Sequence, residues 1–139
     1  MIWKEKYKIG VPEIDAQHME LFSRVGSFLN TLRSDTKWEE KVNKVNETVA
    51  FMKDYVITHF RDEEAYQEEI GYPERDRHKK IHDGMVEYVA EVSEQYEKFG
   101  FKEIHMQQFA GKLVTWLVNH VVAEDQKIAD YARSREGRS

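Results

Sequence analysis

The sequence has no cysteine, only two prolines and only seven glycines among its 139 residues. Without cysteine the chain can form no disulfide, zinc–thiolate site or iron–sulfur cluster. Proline and glycine punctuate the short strands of sheet proteins, so their scarcity favours helices. The longest stretch without a charged residue, 113–123, is far shorter than the roughly 20 residues of a membrane span. Residues 1–6 lack the apolar core of a signal peptide, so we expect a cytoplasmic protein that does not bind membranes.

The composition is that of one globular domain, with 40% hydrophobic and 34% charged residues. We therefore expect residues 1–139 to form a single domain. A net charge of −5 argues against nucleic acid as a partner, because phosphate binding needs a basic face. The basic residues Arg133, Arg135 and Arg138 are interpreted as part of a solvated polar tail, 133–139. Nothing in the sequence identifies a protein partner.

Apolar residues recur every three or four positions in four segments, the pattern of amphipathic helices. These segments span residues 14–32, 38–66, 78–96 and 109–128. Residues 1–12 show no helical period and are predicted to form an extended N-terminal arm. Short connections make consecutive helices antiparallel neighbours. The sequence therefore predicts an all-α, antiparallel up-down-up-down four-helix bundle.

Histidines and carboxylates occupy inward positions where a plain bundle would carry leucine. Burying such groups without partners is costly, so they must meet one another or a bound ion. In an antiparallel bundle, two helix starts and two helix ends share one end of the molecule. We expect seven polar side chains to meet there: His18, His59, Glu63, His78, His82, His120 and Asp125.

Five imidazoles and two carboxylates are too many ligands for one tetrahedral zinc ion. They suit two octahedral ions bridged by the carboxylates, and ligation by nitrogen and oxygen fits iron or manganese. No Glu-x-x-His pair occurs, which excludes the ferritin-like arrangement. Each residue alone could be an ordinary core or surface group, but five of the six histidines converge at one end. The sixth, His105, lies about 22 Å from His120 along the helix and is expected to face solvent.

The last carboxylate ligand is ambiguous from spacing alone. Asp125 follows His120 by five residues, which rotates it about 140° away on an ideal helix. Glu124 follows by four residues and has the better phase. Helical geometry by itself favours Glu124.

Several further motifs run along the chain: Trp3, Tyr7, Ile9-Gly10-Val11, Gln17-His18, Leu21-Phe22, His59-Phe60, Glu63-Glu64, Gly71-Tyr72-Pro73 and Trp116-Leu117. With the polar residues above, they make nearly the whole chain resemble the hemerythrins, and bacterial hemerythrin domains in particular. The resemblance implies two non-haem irons with an oxo or hydroxo bridge. It selects Asp125 over Glu124, because the family motif has four residues between histidine and aspartate, and it implies a local distortion of the helix.

The resemblance also assigns the ligands. One iron would be held by three histidines, the other by two, and both carboxylates would bridge: His78, His82 and His120; His18 and His59; Glu63 and Asp125. Oxygen would bind reversibly at the open position of the iron with two histidines, where small anions could also bind. We expect an apolar pocket there, made by Phe60, Trp116 and Leu117. Tyr66 stands where many members have methionine, and is expected to pack or to donate a hydrogen bond behind the ligands.

Several functions follow from this resemblance. The first is an oxygen carrier for transport, storage or delivery. An oxygen-sensing or redox-sensing signalling module is the alternative, since such domains are also fused to receptors. A di-iron peroxidase or nitric oxide-handling enzyme ranks last, because no general acid beyond the ligands stands out. A metal-free bundle would leave the seven polar groups unexplained.

Overall fold

This computed structural model describes residues 3–136 of the chain. Four helical rods form most of this part. The connections between them are short, so neighbouring rods run antiparallel, which confirms the predicted all-α bundle. No helix within the described residues has the length and apolar character needed to cross a membrane. The rods are α1 (Pro12–Arg33), α2 (Trp38–Ile70), α3 (Arg75–Phe99) and a fourth composed of α4 (Glu103–Trp116), a π-helical segment (Leu117–Glu124) and α5 (Asp125–Glu136).

The rods end where the local chemistry requires. Pro12 is the first residue of α1, where its fixed φ suits a helix and its missing amide proton costs nothing. Gly71 ends α2 with φ of 68°, a left-handed conformation that favours glycine. Its amide donates to the carbonyls of Gln67 and Glu68, which satisfies the end of the helix.

The hydrophobic core lies between the rods, towards the end of the bundle away from the polar residues. Helix α1 packs against α2 and α4, and α2 packs against α3. The ring of Phe28 is fully buried and lies 5.6 Å from that of Phe109. Tyr96 of α3 contacts the same ring from the other side, at 6.4 Å between centroids. This apolar half holds the rods in the register that the polar half needs.

The N-terminal arm differs from the extended segment predicted for residues 1–12. Its described part contains a 3-10 turn at Glu5–Tyr7 and packs along the bundle. The ring of Trp3 lies edge-on to Phe22, 5.3 Å between centroids. The carboxylate of Asp15 accepts a hydrogen bond of 2.8 Å from the amide of Ile9. These contacts are made with the adjoining helix α1 and leave no periodic signal in the arm itself.

The predicted polar tail also differs, because residues 133–136 continue α5. The guanidinium of Arg135 donates to the carbonyl of Ile70, at the end of α2. The hydroxyl of Tyr131 donates to the carbonyl of Gly71 at 3.1 Å. Arg135 therefore satisfies a helix end, whereas Arg138 lies outside the described residues.

Replacing Phe28 with Ala is expected to lower the free energy of unfolding by about 3–5 kcal/mol, because it leaves a cavity in the core. Phe99→Ala is the control, since this side chain is 66% exposed and its loss should cost less than about 0.5 kcal/mol. Urea unfolding of the metal-free variants measures both values. Equal losses would contradict the position of the core.

Candidate metal centre

Seven polar side chains meet at one end of the bundle, as the sequence predicts. None is more than 3% exposed. Every rod contributes, and the fourth does so from its π-helical segment and from the first residue of α5. The side chains are His18 on α1, His59 and Glu63 on α2, His78 and His82 on α3, His120 on the π-helical segment and Asp125 on α5.

The carboxylate of Glu63 lies between two groups of imidazoles. Its Oε1 is 3.2 Å from Nε2 of His82. Its Oε2 is 3.2 Å from Nε2 of His59 and 3.4 Å from that of His18. One carboxylate therefore presents one oxygen to each group, which is the geometry of a bridging ligand.

Asp125 divides its oxygens in the same way. Its Oδ1 is 3.1 Å from Nε2 of His78 and 3.2 Å from that of His120. Its Oδ2 is 3.1 Å from Nε2 of His18. The two carboxylates thus join a group of three imidazoles to a group of two. Ligand atoms within each of two sets lie within 4.8 Å of one another: Glu63, His78, His82 and His120; His18, His59, Glu63 and Asp125.

The spacing of the nitrogen atoms suits octahedral ions. Donors about 2.1 Å from a metal are about 3.0 Å apart in an octahedron and about 3.4 Å apart in a tetrahedron. The Nε2 atoms of His18 and His59 are 3.0 Å apart. Those of His82 and His120 are 3.1 Å apart. Both distances between Nε2 atoms are closer to the value expected for an octahedral ion than to that for a tetrahedral ion.

Hydrogen bonds behind the imidazoles leave Nε2 free for a metal. Gln17 donates through Nε2 to Asp62 at 2.8 Å, so its Oε1 faces His59 and accepts from Nδ1 at 2.6 Å. Nδ1 of His82 donates to Glu64 at 2.9 Å. With the proton on Nδ1, each Nε2 keeps its lone pair.

His78 is oriented by a third partner, Gln67, whose amide lies against Nδ1. The Oε1 of Gln67 is buried and has no hydrogen-bond partner among residues 3–136. Turning the amide by 180° lets this oxygen accept the Nδ1 proton, because the two ends of an amide have the same shape. His78 then has the same tautomer as His59 and His82.

Several ligand-type atoms are buried without a hydrogen-bond partner among the described residues. They are Nε2 of His78, Oε2 of Glu63 and both carboxylate oxygens of Asp125. Buried carboxylate oxygens are stable only beside a proton donor or a cation. Lone pairs that converge at metal-ligand spacing fit a pair of metal ions.

The carboxylates make the site attract positive charge. Burial opposes the charged form of His18, but contacts with Asp125 and Glu63 outweigh it and raise the pKa of His18 to about 9. Burial raises the pKa of Glu63, yet close contacts with the surrounding histidines outweigh it and hold the pKa of this carboxyl well below its usual range. At His59 burial prevails and lowers the pKa. The negative charges of Glu63 and Asp125 would stabilise a metal ion in the same way as they stabilise a proton.

The π-helical segment explains the choice between the two neighbouring carboxylates. The amide of Asp125 donates to the carbonyl of His120, five residues earlier, which adds one residue to the turn. Asp125 thereby rotates onto the face of His120 and is fully buried. The carboxylate of Glu124 points outward and lies 2.6 Å from Arg77. Ideal-helix phase, which favours Glu124, is therefore wrong here, and the distortion implied by the family motif is present.

The residues expected around the open position lie mainly on the other side of the centre. Phe60 stacks on His82, with centroids 4.0 Å apart, and Trp116 stacks on His120 at the same separation. Both rings thus cover the group of three imidazoles. Phe60 also lies 5.9 Å from His59, but it follows that residue directly and is rotated about 100° from it. Leu117 is fully buried in the adjoining core.

A different aromatic residue covers the group of two imidazoles. The ring of Tyr55 stacks on that of His59, with centroids 4.7 Å apart and planes inclined by 18°. Tyr55 also lines a surface pocket of about 340 Å³ between α1 and α2. Tyr66, which was expected either to pack or to donate a hydrogen bond behind the ligands, is half-buried and packs against the cluster that contains Ile9 and Ile14.

Sequence analysis missed the residues that hold the ligands in place, although a signal was present. On α2, Tyr55, His59, Glu63 and Gln67 follow one another at intervals of four residues, and all four are buried. Such a row lies on one helical face. A polar row of this kind identifies Tyr55 and Gln67 as neighbours of the ligands.

His105 was expected to face solvent, and this is only partly correct. It lies near the start of α4, far from the centre, and its side chain is half-buried. Its carbonyl accepts a hydrogen bond of 3.2 Å from the hydroxyl of Tyr96. The burial arises from contacts with α3, which spacing along one helix does not reveal.

Four helices around two groups of imidazoles that share carboxylates form a site that could hold two metal ions. The family model of the hemerythrin HHE cation binding domain matches residues 9–132, and the chain belongs to the hemerythrin family. It is 28% identical to a bacteriohemerythrin of Clostridium acetobutylicum, over 93% of this chain and 98% of the relative. It is 31% identical to a bacteriohemerythrin of Stenotrophomonas maltophilia, over 96% of this chain and 82% of the relative. Similarity extends to hemerythrin subunit alpha of Lingula anatina, which is 27% identical over 90% of this chain and 89% of the relative. The family consists of oxygen-binding proteins with non-haem di-iron centres rather than enzymes.

Replacing Asp125 with Ala is expected to reduce the iron bound per chain, because the change removes one oxygen from each half of the centre. Glu124→Ala should leave the iron content unchanged, since it removes only a surface ion pair worth about 0–1 kcal/mol. Iron analysis after anaerobic loading compares the two variants. The opposite ranking would show that the π-helical segment does not set the ligand.

Replacing Gln17 with Ala is expected to weaken iron binding by about 10–100-fold, because His59 loses the acceptor that fixes its tautomer. Gln107→Ala is the matched control, since Gln107 is exposed on α4. Competition with a chelator of known affinity measures the difference. An unchanged affinity in the Gln17 variant would mean that the hydrogen bond does not hold the ligand.

Proposed function

We propose that this protein binds molecular oxygen reversibly at a di-iron centre, and serves as an oxygen carrier for transport, storage or delivery in the cytoplasm. The observation that carries the proposal is the unequal sharing of the two carboxylates. Glu63 and Asp125 face three imidazoles on one side and two on the other. The protein thus offers five ligand atoms to one ion and four to the other.

The ligand assignment follows from these contacts. His78, His82 and His120 would hold one iron, His18 and His59 the other, and both carboxylates would bridge. Two ferrous ions, with an oxo or hydroxo bridge, supply the two electrons and the open position that reversible oxygen binding needs. The open position would belong to the ion held by His18 and His59, because the protein offers that ion one ligand fewer. Small anions such as azide are expected to compete for it.

The protein's own task is to keep the centre dry and its ligands fixed. Phe60 and Trp116 cover the imidazoles of His82 and His120 with stacked rings. Exclusion of water favours reversible binding, because water and anions promote irreversible oxidation of the metal. The buried position of all seven ligands supports a carrier more than an enzyme that must admit a larger substrate.

The proposal is tested by loading the protein with ferrous iron without air and recording visible absorption while oxygen is admitted and removed several times. We expect a charge-transfer band that appears with oxygen and disappears on its removal. His120→Ala should lose iron and the band, because one ion loses a ligand. His105→Ala is the matched control and should keep both, since this residue lies at the other end of the bundle.

The other outcomes separate the alternatives. A ferric spectrum that forms once and does not reverse would overturn the carrier and favour a redox sensor or a di-iron peroxidase. A protein that binds no iron would contradict the whole assignment. Reversible binding with a strong change in conformation would favour the oxygen sensor, which limited proteolysis of the oxygenated and deoxygenated forms measures.

A further inference from the structure

One buried polar group beside the centre has no task in the proposal above. The hydroxyl of Tyr55 is buried and has no hydrogen-bond partner among residues 3–136, and the residue as a whole is only 6% exposed. Most buried hydroxyls in proteins are paired, because an unpaired one loses its bonds to water without replacement. The unpaired hydroxyl of Tyr55 therefore suggests a hydrogen-bond partner that is not part of the chain.

The position of Tyr55 indicates where that partner binds. Its ring stacks on His59, one of the two imidazoles on the side with fewer ligands. Tyr55 lies one helical turn before His59 and two turns before Glu63, on the same face of α2. Burial raises the pKa of the Tyr55 hydroxyl well above its ordinary value, and the charges of Glu63 and Asp125 raise it further. The hydroxyl therefore lies deep in the bundle, on the side of the open position.

Tyr55 also borders a pocket at the surface of the bundle. Other atoms of the residue line the pocket of about 340 Å³ between α1 and α2, together with Phe51, Thr58 and His59. This pocket is mostly apolar, and it is large enough to admit a molecule of two or three atoms. A small ligand in this pocket would contact both Tyr55 and His59.

We propose that the hydroxyl of Tyr55 donates a hydrogen bond to the small ligand, oxygen or an anion such as azide, that binds on the side of His18 and His59. The inference rests on the proposed di-iron function and adds a residue that determines how tightly the ligand is held. Such a bond stabilises the bound ligand, because the free end of the ligand carries lone pairs and the donor is shielded from water.

The competing donor is the indole Nε1 of Trp116, which is also buried and unpartnered within the described residues. Its ring stacks on His120, in the group of three imidazoles. That side already has five protein ligand atoms, so an octahedral ion there completes its shell with the bridge. Tyr55 is the donor on the side that keeps a position for a ligand.

The test uses Tyr55→Phe, which removes the hydroxyl and keeps the ring. Azide titration of the iron-loaded ferric protein should show an affinity lower by about five- to tenfold, the effect of one hydrogen bond. The infrared stretching band of bound azide should shift between H2O and D2O in the unmodified protein and lose this shift in the variant. The metal-free variant should unfold at the same or a higher temperature, because it no longer buries an unpaired hydroxyl.

Tyr96→Phe is the matched control, because its hydroxyl is paired with the carbonyl of His105 far from the centre. It should lower the unfolding temperature and leave azide affinity unchanged, the reverse of the pattern for Tyr55→Phe. Unchanged azide affinity and a retained solvent shift in Tyr55→Phe would overturn the inference and leave the di-iron function intact. Failure of reversible oxygen binding with a normal azide result would overturn the carrier function and keep the role of Tyr55. A protein without iron would overturn both.

Discussion

Two carboxylates, Glu63 and Asp125, lie in the interior with no exposed surface, and each divides its oxygens between two groups of imidazoles. Negative charge at such depth is stable only where positive charge accompanies it. The contacts of His18 with Asp125 and Glu63 raise its pKa to about 9, although burial opposes the charged form. Because a metal ion would be stabilised by the same negative charge, we expect folding of this end of the bundle to be coupled to metal binding.

The rest of the fold makes this charged interior possible. The apolar end, centred on Phe28 and Phe109, contributes the burial that holds four rods together. The π-helical segment then turns the fourth rod by one additional residue, so that His120 and Asp125 share a face. Irregular helices of this kind lose ideal hydrogen-bond geometry and are found where function requires a side chain in a particular place. The burial of apolar side chains at one end of the bundle offsets the free-energy cost of burying charged groups at the other end.

The two halves of the centre use the same ligand types and differ in their surroundings. On the three-histidine side, aromatic rings lie flat on the imidazoles and Glu64 holds His82. On the two-histidine side, Gln17 holds His59, and Tyr55 and His59 line a surface pocket. Hydrogen bonds to Nδ1 keep Nε2 available as a ligand on both sides. In the proposed function, the number of ligands and the residues that cover them, rather than the ligand types, would distinguish the side that binds a small molecule.

The sequence by itself determined the all-α bundle, the boundaries signalled by Pro12 and Gly71, and the convergence of the polar groups. These follow from local periodicity and chain direction, which do not depend on the details of packing. Only the tertiary structure gave a physical reason why Asp125 rather than Glu124 faces inward. The reason is a π-helical turn, which residue spacing on an ideal helix does not predict. The tertiary structure also decided that Phe60 covers His82 while Tyr55 covers His59. Which ring meets which imidazole depends on how neighbouring rods pack, and spacing along one rod carries no record of that contact.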